Sequence, residues 1–347
     1  MPSKTQTVGQ KKSFGEWLKS RKGQKVIVIV AFSIIPLALL LLFTYVPFLE
    51  MFQFSFFDRT YLKVREFVGF DNYLEVFTRD DCFGALKLSL FYIGGGFIQL
   101  ALALFFATIL CFKTRGSGIF KGLLFFPYLI NGIAIGFIFK FFFTRGFVFD
   151  TVLGWIGIPQ DVLPYWLRDM SINNFSLAGT SVWRYMGQNM VLFLGAMMSV
   201  DQTLYEAAAI DGANSWHKFK YIMLPSIKSV VVLNIILSVS GSLSAFEPPY
   251  VITNGSFGTA TYFVTMNQVA HVSQKVGLAS AMAIILFILI FICTILQQVI
   301  MNKLFPTDDD GSRSAKQASK RAKKTAKAAA AAAAAIPAAE AKGGASA

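Results

Sequence analysis

The sequence predicts an all-α membrane protein with six transmembrane helices. Of its 347 residues, 55% are hydrophobic and only 15% are charged, against about 25% charged residues in a soluble domain. Long apolar segments recur along the chain, and about 20 such residues are needed for a helix to cross a bilayer core of about 30 Å. The six predicted spans cover residues 26–49, 85–112, 119–143, 177–200, 226–246 and 278–301.

The predicted spans differ in polarity. The first, at 24 residues, follows a charged leader and lacks a small-residue cleavage site, so an uncleaved anchor is expected rather than a signal peptide. The fourth contains Arg184, Gln188 and Asn189, and the fifth contains Asn234 and several serines. Polar groups in a span usually face a bundle interior or a cavity, because lipid offers them no hydrogen bond.

The net charge of +13 is concentrated at the two ends of the chain. Residues 1–25 carry +6 and residues 303–347 carry +5, which leaves +2 for residues 26–302. Basic ends that flank apolar spans are typical of cytoplasmic retention and attraction to anionic lipid, and not of a nucleic-acid-reading surface. Lys and Arg also occur in residues 113–118 and 201–228, whereas the alternate loops either mix them with acidic residues or are poor in them. Both termini and the 201–228 segment are therefore predicted to face the cytoplasm.

The tail at 303–347 has almost no large apolar residues. It cannot bury a core, so disorder or a transient Ala-rich helix is expected there. An alternative is that its basic cluster, from Lys316 to Lys327, contacts anionic lipid or ribosomal RNA. The predicted domains are thus the basic segment 1–25, the membrane domain 26–302 and this tail.

Motifs for catalysis and metal binding do not occur in the sequence. It contains no phosphate-binding P-loop, no G-x-S-x-G and no H-E-x-x-H. The three cysteines are far apart, so neither a disulfide framework nor a zinc site is indicated. His217 and His271 have no nearby cluster of ligating residues and are expected in loops. The glycine run 94–96 lies in a predicted span, where it permits close helix packing.

The segment 205–225 is a polar island between the fourth and fifth spans. Its first residues favour a helix, and Gly212 can adopt the left-handed conformation that ends one. Asn214 or Ser215 can cap a second short helix, and Pro225, which lacks an N–H, suits the first turn of the next span. We therefore expect two short helices joined by an elbow. An exposed helix with small side chains is suited to insertion into a groove of a partner protein.

The spacing of this segment resembles a known family. Glu206-Ala207-Ala208, Asp211-Gly212-Ala213 and, after eight residues, Ile222-Met223-Leu224-Pro225 resemble the EAA loop of permease subunits in binding-protein-dependent ABC importers. Further matches, in the order expected for that family, are Ser55-Phe56 with Asp58, Val68-Gly69 with Asn72-Tyr73, Phe126-Pro127, Trp183 and Ala279-Ser280-Ala281. Together they cover about residues 30–300 and are similar to the carbohydrate-uptake group of maltose and multiple-sugar permeases.

The resemblance implies a type I ABC importer permease fold, with a core at about 85–298 and cytoplasmic coupling helices between the fourth and fifth spans. The implied partners in the cell membrane are a second related permease, a cytoplasmic ABC ATPase dimer and an extracellular or periplasmic sugar-binding protein. ATP and Mg would bind to the ATPase, so no cofactor and no enzyme activity are expected on this chain. The long tail favours the first-subunit type. The loop at 254–261 departs from the family's Gly-Gly-Pro pattern, so receptor contacts are not carried over there.

The resemblance also implies a set of residues that couple the chain to the ATPase. They are Glu206, Ala207, Ala208, Asp211, Gly212, Ala213, Trp216, Phe219, Leu224 and Pro225. The two acids would pair with basic groups of the ATPase, and the small residues would permit close docking. Trp216 and Phe219 would brace the elbow against the membrane helices.

A second set of candidates could contact a sugar. Sugars are held by aromatic faces and hydrogen-bonding side chains, and such side chains on the more polar spans are Tyr128, Asn131, Tyr185, Gln188, Asn189, Asn234 and Ser238. For each of them, packing between helices is an equal alternative. Arg184 can pair with Glu247 or with a backbone carbonyl.

Two other classes of protein remain as alternatives. An ATP-independent secondary transporter would need a coupling-ion site, and a membrane assembly or structural factor would support no uptake. The EAA spacing argues against both.

Overall fold

The computed structural model describes residues 20–60, 63–111 and 116–304. In this part of the chain the helices are α1 (Arg21–Leu40), α2 (Val46–Phe54), α3 (Asp71–Thr78), α4 (Asp80–Cys111), α5 (Ser117–Leu129), α6 (Gly132–Phe143), α7 (Val148–Trp155), α8 (Asn173–Met198), α9 (Gln202–Ile210), α10 (Ser215–Lys218), α11 (Leu224–Ser226), α12 (Lys228–Leu243), α13 (Glu247–Thr253), α14 (Tyr262–His271) and α15 (Val276–Leu304). Strands β1 (Phe57–Arg59) and β2 (Val64–Phe67) form one antiparallel hairpin. Wider π-helical turns at Leu41–Tyr45 and Phe219–Met223 join α1 to α2 and α10 to α11, and a 3-10 turn covers Gln160–Val162.

The described helices confirm most of the predicted spans. Four are long and apolar enough to cross a membrane, namely Arg21–Phe54, Asp80–Cys111, Lys228–Thr253 and Val276–Lys303. The number becomes five if α5 and α6 are counted as one bent span. The predicted fourth span corresponds to α8, whose 26 residues extend about 39 Å. The polar residues of α8 lower its hydropathy, so the count of six stays a prediction.

The third predicted span is not one straight helix. Helices α5 and α6 meet at an angle of 98°, because Ile130 between them has an extended backbone with ψ 137°. Pro127 removes a backbone donor from the last turn of α5. The side chain of Asn131 accepts a hydrogen bond from the N–H of Ile133 at 2.9 Å and starts α6 as its N-cap. The prediction of an unbroken helix over 119–143 is therefore wrong.

The described residues form two compact units. The first holds residues up to Ser89 together with Thr253–Leu289, and the second holds Leu90–Ile252 together with the described residues from Ile290 onward. Helix α1 begins inside the predicted basic leader. Residues 1–19 and nearly all of the predicted tail lie outside the described residues, and the three-part domain division stays a prediction.

The first unit is held together by contacts of the hairpin and α3. The side-chain amide of Asn72 donates hydrogen bonds to the carbonyls of Ser55 at 2.8 Å and Phe57 at 3.1 Å. Gly277 lies against the same carbonyl of Phe57, where any Cβ atom would overlap it. Two residues of the family pattern, Ser55 and Tyr73, also share a hydrogen bond of 2.6 Å between their hydroxyls. These matched residues therefore position α3.

The second unit contains the larger hydrophobic core. It joins α4, α8 and the π-helical turn before α11, and its buried members are Leu100, Ala103, Ala107, Leu110, Met190, Phe193, Leu194, Met197, Met223 and Ile227. Glycines permit close packing of helices around this core. A Cβ on Gly187 of α8 would overlap the backbone of Leu124 in α5, and one on Gly96 of α4 would overlap the hydroxyl of Ser238 in α12. A Cβ on Gly95 would touch Val182 at 3.3 Å, so two members of the 94–96 run lie at helix contacts.

Candidate functional site

The polar segment between α8 and α12 begins with a capped helix. The carboxylate of Asp201 accepts a hydrogen bond from the N–H of Thr203 at 3.0 Å, as an N-cap of α9. This hydrogen bond lowers the pKa of Asp201 below its usual range. The side chain is therefore ionised at neutral pH, which suits its place at the positive end of the helix.

Helix α9 ends in a Schellman motif. The N–H of Ala213 donates to the carbonyl of Ala208 at 2.9 Å, and that of Gly212 donates to the carbonyl of Ala209 at 3.2 Å. Gly212 has φ +76°, the left-handed conformation that this motif requires and that glycine adopts without strain. The structure thus contains the elbow that the sequence predicts at Gly212.

The second short helix starts at Asn214, whose side chain accepts a hydrogen bond from the N–H of His217 at 2.9 Å. The helical backbone continues through the π-helical turn and α11, where Pro225 occupies the first turn. Phe219 packs against the core of the second unit. Trp216 is 64% exposed and stacks on Phe219 with ring centroids 5.6 Å apart. Phe219 thus contacts the core directly and Trp216 contacts Phe219, and their role in bracing the elbow stays a prediction.

The side chains of the EAA segment are mostly exposed. Glu206, Ala207, Asp211 and Gly212 lie on the surface of the chain, as does Ile210 with 87% exposure. Ala208, Ala213 and Leu224 are half-buried. In the part of the chain that the structure describes, neither Glu206 nor Asp211 forms an ion pair. This surface combines acids, small residues and one large apolar side chain, which is suited to contact with a second protein.

The second unit also contains a cavity of about 430 Å³ between α4, α8 and the segment from α12 to α13. Amide, hydroxyl and tyrosine side chains make up most of its polar lining. Five of the seven predicted sugar contacts line it, namely Tyr185, Gln188, Asn189, Asn234 and Ser238. The cavity therefore brings together candidates that lie more than 50 positions apart in the chain.

Two predicted sugar contacts do not line this cavity. Asn131 is exposed, and its side-chain oxygen is used in capping α6. Tyr128 packs its ring toward that of Tyr185, with centroids 6.1 Å apart. Both lie near the break between α5 and α6.

Several polar residues that line the cavity are not among the predicted sugar contacts, namely Tyr92, Gln99, Ser181, Ser242, Ser244 and Glu247. A signal was present in α12, where Asn234, Ser238 and Ser242 recur at the four-residue spacing of one helix face. Asn234 donates one amide hydrogen to the carbonyl of Val230 at 2.8 Å, and the hydroxyl of Ser242 donates to that of Ser238 at 2.7 Å. The oxygen atoms of these side chains keep lone pairs that can accept from a ligand.

An ion pair joins Arg184 and Glu247 in the second unit. The guanidinium of Arg184 is 14% exposed and lies 5.0 Å from the ring centroid of Tyr185. On its other side the carboxylate of Glu247 lies against Gly132, the first residue of α6, where a Cβ atom would overlap it. Of the two alternatives for Arg184, the structure contains the pair with Glu247. This contact links α8, α13 and the start of α6.

Breaking this ion pair is expected to lower the stability of the chain. Arg184→Gln and Glu247→Gln should each lower the melting temperature in lipid nanodiscs. The loss should be larger for Glu247→Gln, because it leaves the 14% exposed guanidinium without its partner, whereas the side chain of Glu247 is 41% exposed. The double variant should lose less stability than the sum of the losses in the two single variants, with a coupling energy on the order of 0.5–3 kcal/mol. Lys275→Gln is a matched control, since the exposed pair of Lys275 with Glu75 at 3.1 Å is expected to contribute little. Additive losses at positions 184 and 247 would contradict the contact.

Comparisons with known proteins give consistent matches. The family model described as binding-protein-dependent transport system inner membrane component matches residues 99–305. The probable ABC transporter permease protein YesP of Bacillus subtilis is 29% identical over 263 residues, covering 74% of this chain and 84% of YesP. The multiple sugar-binding transport system permease protein MsmF of Streptococcus mutans is 30% identical over 282 residues, covering 78% of this chain and 94% of MsmF.

A solved structure has a similar fold. It is a chain of the bacterial alginate ABC transporter in complex with alginate pentasaccharide-bound periplasmic protein. The TM-score is 0.69 at 18% sequence identity, and the match covers 83% of this chain and 98% of that chain.

Proposed function

The chain belongs to the family of binding-protein-dependent transport system inner membrane components, and from this premise we propose that it forms half of the translocation pathway of an ATP-driven sugar or oligosaccharide importer. As a member of that family it is an ABC permease subunit, a transport component of the membrane. The observation that carries the sugar assignment is the cavity, whose polar lining is mostly amide, hydroxyl and tyrosine groups with the carboxylate of Glu247 beside them. Such groups match the donors and acceptors of sugar hydroxyls. The name of MsmF as a multiple sugar permease supports the same substrate class.

The proposed complex contains a second related permease, a cytoplasmic ABC ATPase dimer that binds ATP and Mg, and an external sugar-binding protein. The alginate transporter, solved with a sugar-bound periplasmic protein, supports the last of these. We place six segments of this chain across the membrane, with α8 as the fourth span and both termini in the cytoplasm. The positive-inside distribution of Lys and Arg supports this orientation.

The EAA segment is proposed to bind the ATPase and to pass its movement to the membrane helices. Glu206 and Asp211 would pair with basic groups of the ATPase, while Ala207, Ala208 and Gly212 would allow its surface to come close. When ATP closes the ATPase dimer, the docked α9 helices would move with it. A rigid body of packed helices then changes the side to which the cavity opens. The ligand can drive such a change only through its different affinity for the two states.

Co-purification tests this function against its two rivals. A tagged full-length chain, expressed with its neighbouring genes and extracted in mild detergent, should bring down a second permease and an ATPase in stoichiometric amounts. A secondary transporter would mediate uptake in proteoliposomes without an ATPase. An assembly factor would bind other proteins but support no uptake, and either result would overturn the proposal. Binding of a sugar panel to the external receptor then identifies the substrate.

Removing one amide from the cavity should weaken transport. Gln188→Leu keeps the side-chain volume but loses a neutral hydrogen bond worth about 0.5–1.5 kcal/mol, so sugar uptake in proteoliposomes is expected to fall about two- to twelvefold. Gln160→Leu is the matched control, because it makes the same substitution at an exposed glutamine that does not line the cavity, and its uptake should be unchanged. Equal losses in both variants would argue against the cavity as the sugar path.

A further inference from the structure

One face of α3, together with the N-cap residue Phe70, exposes large apolar side chains, whereas the opposite face is buried. Phe70, Leu74 and Phe77 are 69%, 62% and 60% exposed, and their spacing places them on one helix face. On the other side Asn72 and Val76 are buried. An exposed face of three large apolar side chains on so short a helix is unfavourable in water. We propose that this face lies in the interfacial layer of the lipid bilayer, at the end of the first membrane span.

The direction of this face is fixed by hydrogen bonds. Asn72 donates to the carbonyls of Ser55 and Phe57, and the hydroxyl of Tyr73 shares a hydrogen bond with that of Ser55. The first turn of α15 passes close to these bonds, since a Cβ on Gly277 would lie 3.1 Å from the same amide nitrogen of Asn72. Helix α3 therefore cannot rotate to bury its apolar residues without losing these bonds.

The position of α3 along the chain sets its depth. Ser55, to which α3 is bonded, directly follows the 34-residue apolar helix Arg21–Phe54. At its other end, Arg79 is the single residue between α3 and the start of α4. The helix thus lies between the ends of two apolar spans, at the level where a membrane meets water.

Charged side chains mark the water-facing border of α3. Arg79 pairs with Asp81 at 2.7 Å and with Glu75 at 3.4 Å, and Glu75 also pairs with Lys275 at 3.1 Å. The apolar face points to a different side of the helix from Glu75, because the two are about 140° apart at 100° per residue. A charged border beside an aromatic face is the arrangement that favours a helix lying in the interface.

The apolar face is continuous with a membrane span, which favours lipid over a partner protein as its occupant. The ring of Phe77 stacks on that of Phe83 with centroids 5.4 Å apart. Phe83 belongs to the first turns of α4, which continues as an apolar helix. Phe67 at the end of β2 is also 69% exposed. Aromatic side chains are enriched at this level of membrane proteins.

Spin labels on α3 test this proposal. Leu74→Cys is labelled in the full-length chain with its native cysteines replaced by serine, purified with its co-purifying subunits and reconstituted in bilayers of phosphatidylethanolamine and phosphatidylglycerol. Asp71→Cys is the matched control, exposed on the same helix but about 60° or more from the apolar face. Accessibility to oxygen, which concentrates in lipid, is compared with accessibility to a water-soluble nickel chelate.

The label at position 74 should collide with oxygen at least threefold more than with the nickel chelate, and the label at position 71 should show the reverse preference. Two results would overturn the proposal. Equal nickel accessibility at both positions would place the face in water. Exclusion of both reagents from position 74 would show that a protein covers it. Retained sugar uptake by the labelled chain confirms that the variant is folded.

Discussion

Glu206→Lys is expected to abolish ATP-driven sugar uptake while the chain still inserts into the membrane. Glu206 is exposed on α9 and forms no ion pair in the described residues, so its replacement costs little within the chain. The reversed charge would repel the basic groups with which we propose it pairs on the ATPase, and like charges in an interface cost several kcal/mol. Uptake and sugar-stimulated ATP hydrolysis in proteoliposomes should fall at least tenfold.

Gly212→Pro is also expected to abolish sugar uptake, because it changes the backbone of the elbow. Proline fixes φ near −65° and has no N–H, whereas Gly212 has φ +76° and donates to the carbonyl of Ala209. The elbow would be lost, and with it the direction in which α9 is presented. Thr203→Lys is the control for Glu206→Lys, because it places a lysine on an exposed site of the same helix outside the EAA residues.

Unchanged uptake and sugar-stimulated ATP hydrolysis in Glu206→Lys and Gly212→Pro, with the ATPase still bound, would contradict the proposed role of this segment in coupling. Membrane insertion is measured separately by extraction of the membranes at high pH. A loss of uptake that accompanies loss of the chain from the membrane would show a folding defect and not a coupling defect.

Gly187→Val is expected to prevent stable assembly of the second unit. A Cβ at position 187 would overlap the backbone carbonyl of Leu124, and a backbone atom cannot move aside as a side chain can. Overpacking of this kind typically costs 1–3 kcal/mol or more, and each kcal/mol lowers the melting temperature of a protein of this size by roughly 2–4 °C. The melting temperature in nanodiscs should therefore fall by roughly 5 °C or more, with little active complex recovered.

Gly195→Val is the matched control for this variant. It makes the same substitution on the same helix, at an exposed glycine where a Cβ would meet no described atom within 4 Å. Its melting temperature should stay close to that of the unmodified chain. Equal losses at positions 187 and 195 would show that valine disturbs α8 by its helix propensity and not by its contact with α5.

The features that were predictable from the sequence depend on neighbours within a few residues. The turn at Gly212 and the cap at Asn214 follow from local backbone chemistry, and both occur in the structure. The long apolar spans were predictable for a similar reason, because a helix in lipid must satisfy its own hydrogen bonds. The elbow could thus be predicted without knowledge of how the helices pack.

The features that the sequence did not reveal depend on which helices meet. Arg184 and Glu247 are 63 positions apart, so their pairing was one alternative among several. Tyr128 and Asn131 lie at the bend between α5 and α6 and do not line the cavity, although their residue types suit a sugar. Trp216 is exposed and stacks on Phe219, which packs against the core, and the sequence alone did not distinguish the two positions.

From Ser215 to Leu243 the backbone of the second unit is helical except at Ile227. Asn214 begins this run beside the elbow, and Asn234 lies on it at the cavity. At 1.5 Å per residue, 20 residues of helix extend about 30 Å at most. Phe219, Met223 and Ile227 lie between the two asparagines and pack in the hydrophobic core. The core therefore lies on the path between the elbow and the cavity, and a displacement of α9 would reach Asn234 only by shifting core residues.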